Sequence, residues 1–85
     1  MRLKVLYFAQ LREKFGMTEE SFGAPDHVKT VADLIDYLSA RGGVWQETFS
    51  AGSRFRVAMN QDMVTLDTQL LEQAEVAIFR PVTGG

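Results

Sequence analysis

The residues that can do chemistry in this sequence stand at its end, in Val82-Thr83-Gly84-Gly85. We read Gly85 as carrying the terminal carboxylate. A carboxylate is a poor electrophile, because resonance and negative charge repel nucleophiles. ATP-dependent adenylation turns it into an acyl adenylate, a mixed anhydride with a good leaving group. Attack by a sulfur donor then yields a thiocarboxylate; attack by a lysine amine yields an isopeptide. Both routes need an unhindered carbonyl, which Gly85 supplies, and a backbone free to stretch or turn, which Gly84 supplies. Beyond Pro81, four extended residues reach about 13–14 Å, enough to enter the active site of another protein. Residues 1–81 then read as one domain, with 82–85 as its tail.

The side chains offer little else. There is no cysteine, which excludes disulfides, thiolate-held zinc and a thiol nucleophile. Any sulfur carried by this chain therefore has the C-terminal carbonyl as its place. His27, the one histidine, sits in a Pro25-Asp26-His27 loop and reads as an exposed loop residue. No metal site is expected, and no Ser/His/Asp spacing, HExxH or P-loop is present. Gly42-Gly43 follows a helical pattern rather than opening one, so it reads as a helix end, not a phosphate loop.

Charge and composition narrow the partners. The chain has 85 residues, a net charge of −2, 46% hydrophobic and 24% charged residues. That is the balance of one globular domain with a modest core. No basic block invites nucleic acid, and no apolar run approaches a membrane span. The opening apolar run is too short for a signal segment, so a cytoplasmic protein is expected.

The elements that hold the tail follow from periodicity. Leu3 to Phe8 alternates as a strand, with Leu3, Val5 and Tyr7 on one face and Lys4, Leu6 and Phe8 on the other. Ala9 to Phe15 predicts a short helix stopped by Gly16. Glu19 to Phe22 is a weak strand, and Gly23 to Asp26 a turn cluster. Thr30 with Asp33 predicts a capping box. Val31, Leu34, Ile35 and Leu38 continue it as the apolar stripe of the main helix. Trp45 and Phe49 fit one helical turn. Phe55, Val57 and Met59 alternate as a half-buried strand. Asn60 to Asp62 reads as a turn, Met63 to Thr65 as a return strand, Asp67 to Leu71 as a helical turn, and Glu75 to Arg80 as the last strand. These elements make an α+β domain: a mixed sheet with one main helix packed across it. The order suits a β-grasp, ubiquitin-like fold with the first and last strands side by side in the middle.

Several motifs in this order are familiar. Lys4-Val5-Leu6-Tyr7-Phe8-Ala9-Gln10-Leu11-Arg12-Glu13 resembles the opening of the molybdopterin synthase small subunits, the MoaD-type sulfur carriers of the MoaD/ThiS family. Val57-Ala58-Met59-Asn60-Gln61, Glu75-Val76-Ala77-Ile78-Phe79 and Pro81-Val82-Thr83-Gly84-Gly85 resemble that family's later motifs. The terminal Gly-Gly alone is shared with ubiquitin-like and thiamin-pathway carriers; the opening with the Pro-Val-x-Gly-Gly end is more specific.

The resemblance implies a β-grasp fold and a chain that works as a co-substrate. It implies that Gly85 is adenylated by a ubiquitin-activator-like enzyme using ATP, then becomes 1-thioglycine. That sulfur passes to cyclic pyranopterin monophosphate, building the molybdopterin dithiolene. The implied partner is the large synthase subunit, in a heterotetramer whose large subunits supply the catalytic side chains; no tightly bound cofactor is implied. The family's apolar partner surface matches Phe8, Met63 and Phe79 here, with Arg12 at its edge and Pro81 at the tail's exit. Arg80 departs from the family, standing where a first proline of a Pro-Pro pair is common. Competing readings are a thiamin or tRNA-thiolation carrier, a ubiquitin-like modifier of lysines, and a binding module whose tail is idle.

Overall fold

The computed structural model describes residues 1–50 and 54–81. Five strands are present there: β1 (Arg2–Tyr7), β2 (Glu19–Gly23), β3 (Arg56–Met59), β4 (Asp62–Val64) and β5 (Ala74–Phe79). Three helices accompany them: α1 (Gln10–Phe15), α2 (Val31–Ser39) and α3 (Gly43–Thr48). The strands form one mixed sheet in the order β2-β1-β5-β3-β4. β1 and β5 run parallel, and the other neighbours are antiparallel. The first and last strands are thus central neighbours, as the β-grasp expectation required.

Alternation decides what each strand buries. Leu3, Val5 and Tyr7 of β1, Val57 and Met59 of β3, and Val76 and Ile78 of β5 face the core. The apolar stripe of α2, Val31, Leu34, Ile35 and Leu38, is buried in the same cluster. Leu11 and Phe15 of α1 join it. Each such side chain is worth about 1.5–3 kcal/mol when fully covered.

α2 starts where expected. The Thr30 hydroxyl accepts from the Asp33 N–H at 3.1 Å, and the Asp33 carboxylate accepts from the Thr30 N–H at 3.0 Å and the Lys29 N–H at 3.0 Å. Those backbone donors hold the Asp33 carboxyl below its usual range. Two further first-turn donors find distant partners: Val31 N–H donates to the Thr68 carbonyl and Ala32 N–H to the Leu66 carbonyl. This corrects the expected helical turn over Asp67–Leu71. Leu66 and Asp67 form a turn closed by Thr68 N–H on the Thr65 carbonyl, and the chain then runs on without helix through Leu71, bridged Thr30↔Gln69, with Leu70 buried. The Leu66 and Thr68 carbonyls thus serve orphan N–H groups of α2.

The helix end is also corrected in detail. Gly16 caps α1 in the left-handed conformation, as expected. α2, however, is capped by Ala40 in a right-handed conformation. Gly42 and Gly43, at φ 78° and 53°, instead turn the chain into α3. At β3, Asn60 and Gln61 both take positive φ, the two-residue turn that matches strand twist. Asn60 is fixed there because its amide oxygen accepts from Glu75 N–H at 2.9 Å and its own N–H donates to the Glu75 carbonyl at 2.8 Å. Phe55 stops short of β3 and packs edge-on to Phe49 at 5.3 Å.

Candidate functional site

All three helical stripes cover one face of the sheet, so the other face is left to its own side chains. Register decides which residues meet there. Leu6 pairs with Ala77, Ala77 with Ala58, and Ala58 with Met63. These four form a single apolar row across β1, β5, β3 and β4. The two alanines make the middle of the row shallow, between the longer Leu6 and Met63. The next row, nearer the end of β5, carries Phe79 opposite Arg56. Phe8 extends the same face just past β1, its N–H donating to the Ile78 carbonyl at 3.3 Å.

Where β5 leaves the sheet the face mixes Phe8 and Phe79 with exposed Arg56, and Lys4 and Glu75 stand toward its other end. Phe8 is 48% exposed and Met63 59% exposed, while Leu6, Ala58, Ala77 and Phe79 are half-buried. Lys4 pairs at 3.2 Å with Glu19, which stands across from Leu6 on β2, both partly open to solvent, a contact worth little by itself. Phe8 and Met63 are thus the two large apolar side chains that this face leaves exposed.

Phe8, Met63 and Phe79, the positions that the family resemblance pointed to, lie on one face of the sheet. Arg12 is exposed on α1, and Arg80 and Pro81 are half-buried where β5 ends. Neither arginine pairs with a carboxylate among the described residues. Val82, Thr83, Gly84 and Gly85, on which the acyl chemistry rests, lie outside the described residues. Leu6, Ala58 and Ala77 were not singled out by the sequence. Their signal was the alternation of β1 and β5, but only cross-strand register puts them in line.

Elsewhere the polar clusters read as structure. Buried Tyr7 donates its hydroxyl to Glu20 at 2.7 Å, and Arg41 grips both oxygens of Glu20 at 2.8 and 2.9 Å. The Arg41 guanidinium lies 4.4 Å above the Trp45 ring, and Trp45 stacks on Phe15 at 3.7 Å. The Arg41 hydrogen bonds hold the Glu20 carboxyl below its usual range, and burial with the Glu20 contact pushes the Tyr7 hydroxyl up. This network ties β1 and β2 to α2 and α3. His27 is exposed in its loop. Among the described residues no group of His, Asp and Glu is placed to hold a metal, and no helix is long and apolar enough to cross a membrane.

The ThiS family model matches residues 5–85. The chain belongs to the ThiS family. A molybdopterin synthase sulfur carrier subunit of Escherichia coli (strain K12) is 40% identical over 83 residues, covering 98% of this chain and 99% of the relative. One from Haemophilus influenzae is 34% identical over the same span. Among solved structures, a putative molybdopterin converting factor subunit 1 from Pyrococcus furiosus matches with TM-score 0.77 and 27% identity, covering 96% of this chain and 99% of that one. At lower identity the fold alone is shared. SAMP1 of Haloferax volcanii has TM-score 0.78 at 23% identity, with both chains covered in full. A chain from a complex of subunits 1 and 2 of the Helicobacter pylori molybdopterin-converting factor has TM-score 0.67 at 19% identity, again over both full lengths. The β-grasp fold and the MoaD/ThiS membership expected from the sequence thus stand.

Proposed function

We propose that this protein is the sulfur-carrier subunit of a molybdopterin synthase. The observation that supports this most directly is the end-to-end relation to sulfur carrier subunits of that name, at 34–40% identity. The fold adds a surface suited to that role, an apolar sheet face at the base of the tail.

The Gly85 carboxylate attacks the α-phosphate of ATP in a ubiquitin-activator-like enzyme, releasing pyrophosphate and forming the acyl adenylate. Sulfide-level sulfur attacks the acyl carbon, the C–S bond forming as the C–O bond to AMP breaks, and leaves 1-thioglycine. The tail then enters the large synthase subunit, where the thiocarboxylate sulfur passes to cyclic pyranopterin monophosphate and the carboxylate is regenerated. Leu6, Phe8, Met63 and Phe79 give that subunit an apolar platform, with Pro81 stiffening the exit of the tail. Two carriers on a large-subunit dimer make a heterotetramer.

Mass spectrometry of the protein isolated from its host tests the chemistry. Replacement of one oxygen by sulfur, localised to the C-terminal peptide, is the expected result. Localisation matters because oxidation of any of the four methionines adds nearly the same mass. A C-terminal peptide that never carries sulfur, in cells actively making the cofactor, overturns the proposal. The archaeal modifiers that share the fold define the second reading. Adducts to target lysines that survive denaturant and thiols favour it, and rescue of a strain lacking its thiamin carrier favours that pathway instead.

A further inference from the structure

A second surface adjoins the tail, on the β4 side. A groove of about 680 Å³ opens at the end of the β3–β4 ladder, where β5 also leaves the sheet. Its floor is apolar: Val57 is buried, Phe55 and Val64 are half-buried, and Leu66 stays 50% exposed along one wall. Pro81, the last described residue before the tail, closes one end. Among the described lining residues, exposed Arg54 and Arg56 carry the charges, and Thr65 is the other polar side chain.

Both arginines lack a carboxylate partner among the described residues. Asp67, next to Leu66 in sequence, accepts a hydrogen bond from the Thr65 hydroxyl. The chain as a whole is acidic, at −2, so two arginines lining one groove, neither in an ion pair among the described residues, are a local reversal of its charge. Among the described residues β4 is an edge strand with only β3 beside it, and edge strands present backbone groups for pairing. The groove meets the apolar face through the Arg56–Phe79 pair.

We propose that this groove docks an acidic, extended protein segment carrying an apolar side chain, its carboxylates on Arg54 and Arg56 and its apolar group over Val64 and Leu66. A bare phosphate fits the charge but leaves the apolar floor uncovered. Guanidinium forks match carboxylates in pairs, and an extended segment can follow the open edge of β4. The inference stands on the groove alone and does not depend on sulfur chemistry at Gly85.

The test is NMR titration of the full-length ¹⁵N-labelled protein with the blocked hexapeptide acetyl-Asp-Glu-Leu-Glu-Phe-Glu-amide. Controls are the same peptide with lysine for each acid, and inorganic phosphate. Saturable shifts confined to residues 54–57 and 64–66 are expected, weakened by added salt. R54E/R56E is expected to weaken the peptide at least about tenfold, with the remaining spectrum unchanged because both side chains are exposed. Leu66→Ser, which keeps the charges, is expected to weaken it less but measurably. No shift with the acidic peptide, equal shifts with the lysine peptide, or the same shifts from phosphate alone each overturn the proposal; the last reassigns the groove to phosphate. None of these outcomes bears on whether Gly85 carries sulfur.

Discussion

Replacing Phe8 and Met63 together by alanine separates what these side chains do for the fold from what they do for a partner. Full burial of either residue is worth about 1.5–3 kcal/mol. Phe8 is 48% exposed, which leaves roughly 0.7–1.4 kcal/mol of that burial for an interface to complete. Met63 is 59% exposed, which leaves roughly 0.9–1.8 kcal/mol. If a large synthase subunit covers both, the double variant loses about 1.6–3.2 kcal/mol of binding, or roughly 15- to 200-fold in Kd. The portion already covered by the protein's own sheet is lost from stability instead, on the order of 1 kcal/mol per site. Calorimetric titration against the large subunit reads the first quantity, and urea unfolding of the isolated protein reads the second. A variant that remains folded and binds within about twofold of wild type refutes the assignment of this face. A variant that loses several kcal/mol of stability refutes the geometry, because it means the side chains belong to the core.

Deleting Gly84 and Gly85 is expected to leave the urea midpoint unchanged and abolish sulfur transfer in a reconstituted synthase; loss of the fold would count against the tail as a separate element. Glu20→Gln tests the link between the sheet and the helices. Because the folded-state pKa of Glu20 is depressed by Arg41, its contribution is present above the unfolded value, near 4.5, and is lost as pH falls through the folded value. The stability gap between wild type and variant, on the order of 1 kcal/mol at neutral pH, should therefore shrink in urea titrations taken below about pH 4.5. At the other extreme, the raised Tyr7 pKa means its contribution is present below an unfolded value of 10.0 and is lost as pH rises through the folded value; Tyr7→Phe should flatten that alkaline decline. Thr30→Ala removes the hydroxyl that caps α2 and should cost about 1 kcal/mol in thermal or urea unfolding.

Much of this protein is written locally. Thr30, Asp33 and the Val31–Leu38 stripe carry both the start and the buried face of α2, because capping and helical period act within one or two turns. The alternation of β1 announces its two faces in the same way, and the glycine-ended tail is chemistry that composition alone declares. The segment at Asp67–Leu71 was not legible, since its conformation is settled by carbonyls that serve N–H groups of α2 much earlier in the chain. Gly42-Gly43 looked like the end of one helix and proved to open the next, a choice made where Arg41 reaches back to Glu20. The candidate surface divides along the same line. Phe8, Met63 and Phe79 were named from the sequence, but only strand order and register set Leu6, Ala77, Ala58 and Met63 in one row and brought Arg54 and Arg56 beside Leu66 and Pro81. A residue's own strand tells it which face to take; which residues share that face depends on neighbours far away in sequence, and that is settled only when the sheet closes.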